Sequence, residues 1–222
     1  MNAAKADNIL IGEYMDFKNL FSQTWKLFVA NLAPLVLTTF VYIAVSIVSF
    51  GILAPVLTAG YMQSILLLVR EGRKPQIRDL FGQMRLFFPL LGFLLLVSFV
   101  VMLGLKILVL PGIVAMIALS YFCLFMLPLM TDEGLGLIEA IKESSRMAME
   151  PPVGEYIVVI IVFLIINSIG NSTGIGILFT QPFATIFIML VYEIKRRRML
   201  PYSKKTTGNG NFTAPPPPPS GV

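Results

Sequence analysis

Long apolar stretches alternate along this chain with shorter segments in which apolar residues recur every three or four positions among polar ones. The longest stretch, Leu86 to Met130, holds a single charge, Lys106, and is broken at Pro111-Gly112. Each arm has roughly 20 apolar residues, the length a helix needs to cross the hydrocarbon core of a bilayer. The stretches on either side repeat the design. Leu32 to Val69 is interrupted by Gly51 and Pro55, and Val153 to Tyr192 by Gly170 to Gly174 and Pro182. The pattern predicts an all-α membrane protein with six transmembrane helices as three hairpins. Pro55, Pro111, Gly112 and Pro182 mark the hairpin turns, because proline suits the first turn of a helix.

Each hairpin follows an amphipathic segment. Phe17, Leu20, Phe21, Trp25 and Phe28 share one helical face, with Lys18, Asn19, Ser22, Gln23 and Lys26 elsewhere. Asp16 is placed to cap this helix, and Trp25 to sit at headgroup level if the helix lies in the membrane interface. Ile77, Leu80, Phe81 and Met84 repeat the spacing among Arg78, Asp79, Gln83 and Arg85. Leu137, Ile138, Ile141 and Ala148 do so again, up to Pro151-Pro152. Residues 17–23 align with 77–83, and residues 138–141 fall a similar distance further on. The chain therefore divides into a mobile N-terminus (1–15), a six-span domain of three pseudo-repeats (16–75, 76–133, 134–198) and a disordered tail (199–222). Within the spans, Gly60 and Ser64 form a small-residue pair that lets helix backbones approach, and Gly112, Ala115 and Ala118 form a second stripe.

Composition moves the picture in the same direction. Of 222 residues, 56% are hydrophobic and only 13% charged, more apolar side chains than a soluble domain of this size has interior to hide. Histidine is absent and Cys123 is the sole cysteine, which excludes internal disulfides and Cys/His zinc sites. The first long apolar run starts near Leu32, so no cleavable signal peptide is read. Apart from Lys106, the lysines and arginines lie before the first span, between spans two and three, between four and five, or after six. Positive loops stay in the cytoplasm, so both termini are expected inside. Nucleic acid is not the reason for the net charge of +5, since the basic residues flank apolar runs. Pro55 to Val69 would give only about 22 Å of helix against a hydrocarbon core of about 30 Å, and a sixth span starting at Pro182 is as short. The favoured resolution is that both helices begin earlier, because turn backbone left in lipid is costly.

Candidate chemistry is sparse. Lys106 is close enough to the outer bend for its amine to snorkel to water. Asn167, Ser168, Asn171 and Gln181 are candidates for a polar cavity near the outer face, against the plainer reading that they satisfy backbone at a helix end. No nucleophile–base pair, carboxylate dyad or phosphate-binding loop is present, so no catalytic, cofactor-binding or metal-binding residue is assigned and the chain is read as non-enzymatic. Pro215, Pro216, Pro217, Pro218 and Pro219 favour polyproline II, a ligand for aromatic grooves, which makes the tail a candidate docking peptide for a cytoplasmic protein. Lys195-Arg196-Arg197-Arg198 with Lys204-Lys205 reads as a stop-transfer cluster or as a site for anionic lipid.

Three stretches carry a family resemblance: Leu108-Val109-Leu110-Pro111-Gly112-Ile113 with Tyr121 and Pro128, Glu139-Ala140-Ile141-Lys142-Glu143-Ser144-Ser145, and Pro182 to Tyr192-Glu193. Over residues 10 to 198 the chain resembles a broad group of bacterial six-span proteins. Among them is the membrane domain found ahead of some glycerophosphodiester phosphodiesterases. The resemblance implies a multi-pass protein of the bacterial cytoplasmic membrane. It does not carry the phosphodiesterase activity, because a catalytic barrel of about 250 residues exceeds this chain. The expected function is a membrane module that organises or recruits partners, with lipids around it. The alternative is a transporter or lipid-handling protein with a cavity among the hairpins.

Overall fold

A computed structural model describes residues 10–11, 14–107, 118–119, 121–149, 153–173 and 176–206. Eight α-helices lie among the described residues: α1 Phe17–Ala30, α2 Leu32–Val48, α3 Ala54–Glu71, α4 Phe87–Ile107, α5 Met126–Asp132, α6 Leu137–Met149, α7 Val153–Thr173 and α8 Ile177–Thr206. A small antiparallel ladder, β1 (Leu10–Ile11) with β2 (Tyr14–Met15), precedes them. Met15 is buried, and its amide donates to Oε1 of Glu155 at the start of α7. At the other end α8 runs to Thr206. Pro111, Gly112, Ala115 and the tail prolines lie outside the described residues.

Asp16 caps α1 as its sequence requires. Its Oδ1 accepts from the amides of Lys18 and Asn19 at 3.0 and 3.2 Å, satisfying two of the donors every helix start leaves free. Leu20, Thr24 and Phe28 are buried, while Phe21 and Trp25 remain about half exposed. Phe21, Trp25 and Phe28 surround the ring of Phe183 on α8, with centroids 5.2, 6.3 and 5.7 Å away. The chain then turns through 83° into α2. α2 and α3 form an antiparallel hairpin pinned by hydroxyls, Thr39 to Tyr61 at 2.7 Å and Tyr42 to Thr58 at 3.0 Å. Its turn uses Gly51 at φ 79°.

The two short spans resolve differently. α3 begins at Ala54, with Pro55 in its first turn, and its 18 residues make about 27 Å of helix, so no earlier start lengthens it. α8 does begin early, at Ile177, which places Pro182 inside the helix instead of at a turn. The expected Gly-rich turn from Gly170 is likewise helical as far as Thr173. The reason is packing. A Cβ on Gly170 would overlap the Thr180 side chain of α8, so the glycine is needed for close contact between two helices and not for a turn.

Residues 77–86 depart most from the expected amphipathic helix. They form two 3₁₀ turns, Ile77–Phe81 and Met84–Leu86. The first folds back against α3, where a Cβ on Gly60 would collide with the carbonyls of Asp79 and Leu80. The Ser64 hydroxyl donates to Oδ2 of Asp79 at 2.7 Å, and the Gln76 amide reaches the same oxygen at 3.2 Å. The small-residue pair on α3 thus receives the backbone of this turn, where the sequence pointed to another long helix. Closing that contact requires the tighter coil.

The core is built on α3 and α8. Val56, Leu57, Ala59, Tyr61 and Ile65 of α3 are fully enclosed, as are Ile186, Phe187, Leu190 and Tyr192 of α8. Around them the outer helices keep large apolar side chains exposed: Phe40 and Ile47 on α2, Phe88, Leu95 and Phe99 on α4, Ile161 and Ile165 on α7. A water-soluble protein rarely shows so continuous an apolar surface. Two helical stretches, Ile77–Gly104 and Ile177–Arg198, are long and apolar enough to cross a membrane. The count rises to four if each bent pair, α1 with α2 and α6 with α7, is one span. The fold is thus predominantly helical with two to four candidate spans, as expected of a membrane protein.

Candidate functional site

The helices converge at one end on a layer of paired charges. Arg70, in the last turn of α3, donates to both oxygens of Asp132 at the end of α5, at 2.5 and 2.8 Å. Its Nε also donates to Oε2 of Glu193 on α8 at 2.7 Å. The flat guanidinium, with donors in a fixed fork, can serve two carboxylates at once in a way that a lysine cannot. The Tyr192 hydroxyl donates to Asp132 at 3.1 Å. Arg196 lies 3.4 Å from Asp132 and 2.8 Å from Glu133, and Arg197 bonds Glu193 at 3.3 Å. Three chain segments far apart in sequence are thereby held at one point.

A second strand of the layer runs from α8 to the N-terminus. Arg198 donates to Glu155 at 2.8 Å, and the other oxygen of Glu155 takes the Met15 amide. Lys195 is 3% exposed; its amine donates to the Met147 carbonyl at 2.7 Å and stands 4.8 Å over the Tyr156 ring. The aromatic face helps to offset the loss of water around the ammonium. Burial by itself would raise the pKa of Asp132, but hydrogen bonds and charge from Arg70, with help from Arg196 and Tyr192, hold it below the usual carboxylate range. Burial likewise opposes the charge on Arg70, and Asp132 and Glu193 outweigh it, so its pKa moves upward.

Two of the residues expected to line a polar cavity can be placed. The Asn167 side chain donates to the carbonyl of Phe163, one turn back on its own helix, at 2.8 Å. Gln181 is half-buried, and its backbone carbonyl accepts from Thr185 at 2.8 Å. The Asn171 side chain lies outside the described residues. Asn167 is thus bonded to the backbone of its own helix, inside α7. Of the expected turn residues, Pro55 opens α3 beside the hairpin turn and Pro182 is inside a helix, as described above. Lys195 to Arg198, read from sequence as stop-transfer or lipid-binding residues, each bond to groups of the protein, and Lys195 is buried.

Reading the sequence alone misses Arg70, Asp132 and Glu193 as partners. One signal points to them. Arg70–Asp132 and Asp132–Tyr192 are pairs 62 and 60 residues apart, close to the spacing between the amphipathic segments. No protein-family model, curated protein or solved structure matches this chain.

Proposed function

We propose that the chain is a non-enzymatic module of the bacterial cytoplasmic membrane that organises or recruits partners. It crosses the bilayer six times as three hairpins, with both termini and the charged layer in the cytoplasm. The observation that carries this reading is how α8 ends. Its apolar part is enclosed by the other helices, its Glu193, Lys195, Arg196, Arg197 and Arg198 are bound to α3, α5, α6 and α7 or to each other, and the helix continues from there to Thr206, ahead of Pro215–Pro219 in sequence. Such an anchor fixes the exit point of a tail that suits recognition as polyproline II. Charges spent on holding helix ends together are in place for assembly, not for turnover of a substrate. The resemblance to the six-span bacterial group agrees with this arrangement.

Affinity capture from native membranes tests the reading, comparing the full chain with a chain lacking residues 207–222 and with one in which Pro215 to Pro219 are alanine. A partner held by the full chain and lost from both variants is the expected result. Identical partners in all three remove the role given to the tail.

A further inference from the structure

We propose that the open groove at the bend between α1 and α2 holds one acyl chain of an acidic glycerophospholipid, with its phosphate at Lys74. The inference rests on the membrane reading above. The groove is open to its surroundings, offers about 610 Å³, and is walled by Val29, Leu32, Pro34, Val36 and Phe179, with Lys74 its one charged lining residue. That volume is within the range of sites for small organic ligands. The walls offer an occupant mostly apolar contact, which suits a hydrocarbon chain. The single cation at the edge suits an anion attached to that chain.

The accounting of charge explains why Lys74 is available. Among the described residues every carboxylate except Glu71 holds an ion pair or a hydrogen bond: Asp16, Asp79, Asp132, Glu133, Glu139, Glu143, Glu155 and Glu193 are all engaged. The neighbouring arginines are taken, Arg70 by Asp132 and Glu193, and Arg73 by Asp79 at 2.6 Å. Lys74 is exposed and has no ion pair among the described residues. A lysine stem lies readily along apolar surface while its ammonium stays at the polar edge. The position fits as well. Trp25, 56% exposed, stands one turn before Val29, where the amphipathic α1 gives way to the apolar α2. Exposed tryptophan favours headgroup level, which puts this end of α1 near the phosphates of a bilayer. The basic run at Lys195 to Arg198, by contrast, is already held by groups of the protein itself.

The test is native mass spectrometry of the full chain in detergent, titrated with phosphatidylglycerol and with phosphatidylcholine of the same chain length. One phosphatidylglycerol is expected to be retained in preference to phosphatidylcholine. Lys74→Gln should weaken phosphatidylglycerol about fivefold, the value of one lysine near an anionic surface, and leave phosphatidylcholine unchanged. Val36→Trp, which fills the groove, should weaken both. Lys142→Gln, an exposed cation on α6, should change neither. The proposal is overturned if Lys74→Gln behaves as wild type, if Lys142→Gln matches it, or if excess inorganic phosphate displaces the lipid. A chain that stays soluble and monomeric without detergent overturns the membrane reading instead.

Discussion

Replacing Arg70 with alanine is the sharpest perturbation of the charged layer. Arg70, Asp132 and Glu193 have side chains 23%, 9% and 8% exposed, so two carboxylates would be left largely shielded from water. Removing one partner of a buried ion pair costs about 3–5 kcal/mol, mainly because the remaining charge is stranded. Here the stranding is incomplete. Asp132 keeps Arg196 at 3.4 Å and the Tyr192 hydroxyl at 3.1 Å, and Glu193 keeps Arg197 at 3.3 Å. With that and the partial exposure of Arg70 taken into account, about 2–3 kcal/mol is expected. For a chain of this length that is a fall in Tm of about 4–12 °C in detergent micelles. Arg70→Lys should recover only part of it, since an ammonium cannot span both carboxylates. In a double-mutant cycle with Asp132→Ala the two losses should be clearly less than additive. If Arg70→Ala melts within about 1 °C of the wild type, the layer does not hold the helices together and the reasoning fails.

Two further outcomes follow from the same contacts. The depressed pKa of Asp132 stabilises the fold above the ordinary aspartate range and loses that effect as pH falls through the lower folded-state value. Stability should therefore be flat in this term from neutral pH to about pH 5 and drop below about pH 4, and Asp132→Asn should flatten the drop; an unchanged acid limb in this variant counts against the assignment. Gly60→Ala forces a Cβ into the backbone carbonyls of Asp79 and Leu80, which cannot swing aside, and should cost about 1–3 kcal/mol by thermal melting, whereas Gly92→Ala on α4, which meets nothing, should be neutral or stabilising.

Much of the helical plan is legible in residue spacing, for reasons that are local. Asp16 before Phe17 and Gly51 between two apolar runs each act within a few residues of their own position, so α1 starts and α2 ends close to where their residues say they should. What escapes is decided across the fold. Residues 77–81 have helical spacing but tighten to 3₁₀ because Gly60, far back in the chain, leaves room for their carbonyls. Gly170 looks like a turn residue and proves to be a point of helix contact, because its meaning depends on Thr180 opposite. The run Lys195 to Arg198 shows the same limit. Charge alone marks it as a membrane border, and only the placement of Asp132, Glu133, Met147 and Glu155 turns it into the internal binding end of α8.

The account stands on the charged layer facing the cytoplasm while the Gly51 turn faces out. Single cysteines at Phe50, Glu71 and Lys142, in a chain with Cys123→Ser, answer this with a thiol reagent that cannot cross lipid. In intact cells the probe should reach Cys at position 50 and leave positions 71 and 142 unlabelled until the cells are broken. Labelling of position 71 or 142 from outside would contradict the orientation and, with it, the cytoplasmic role given to the tail.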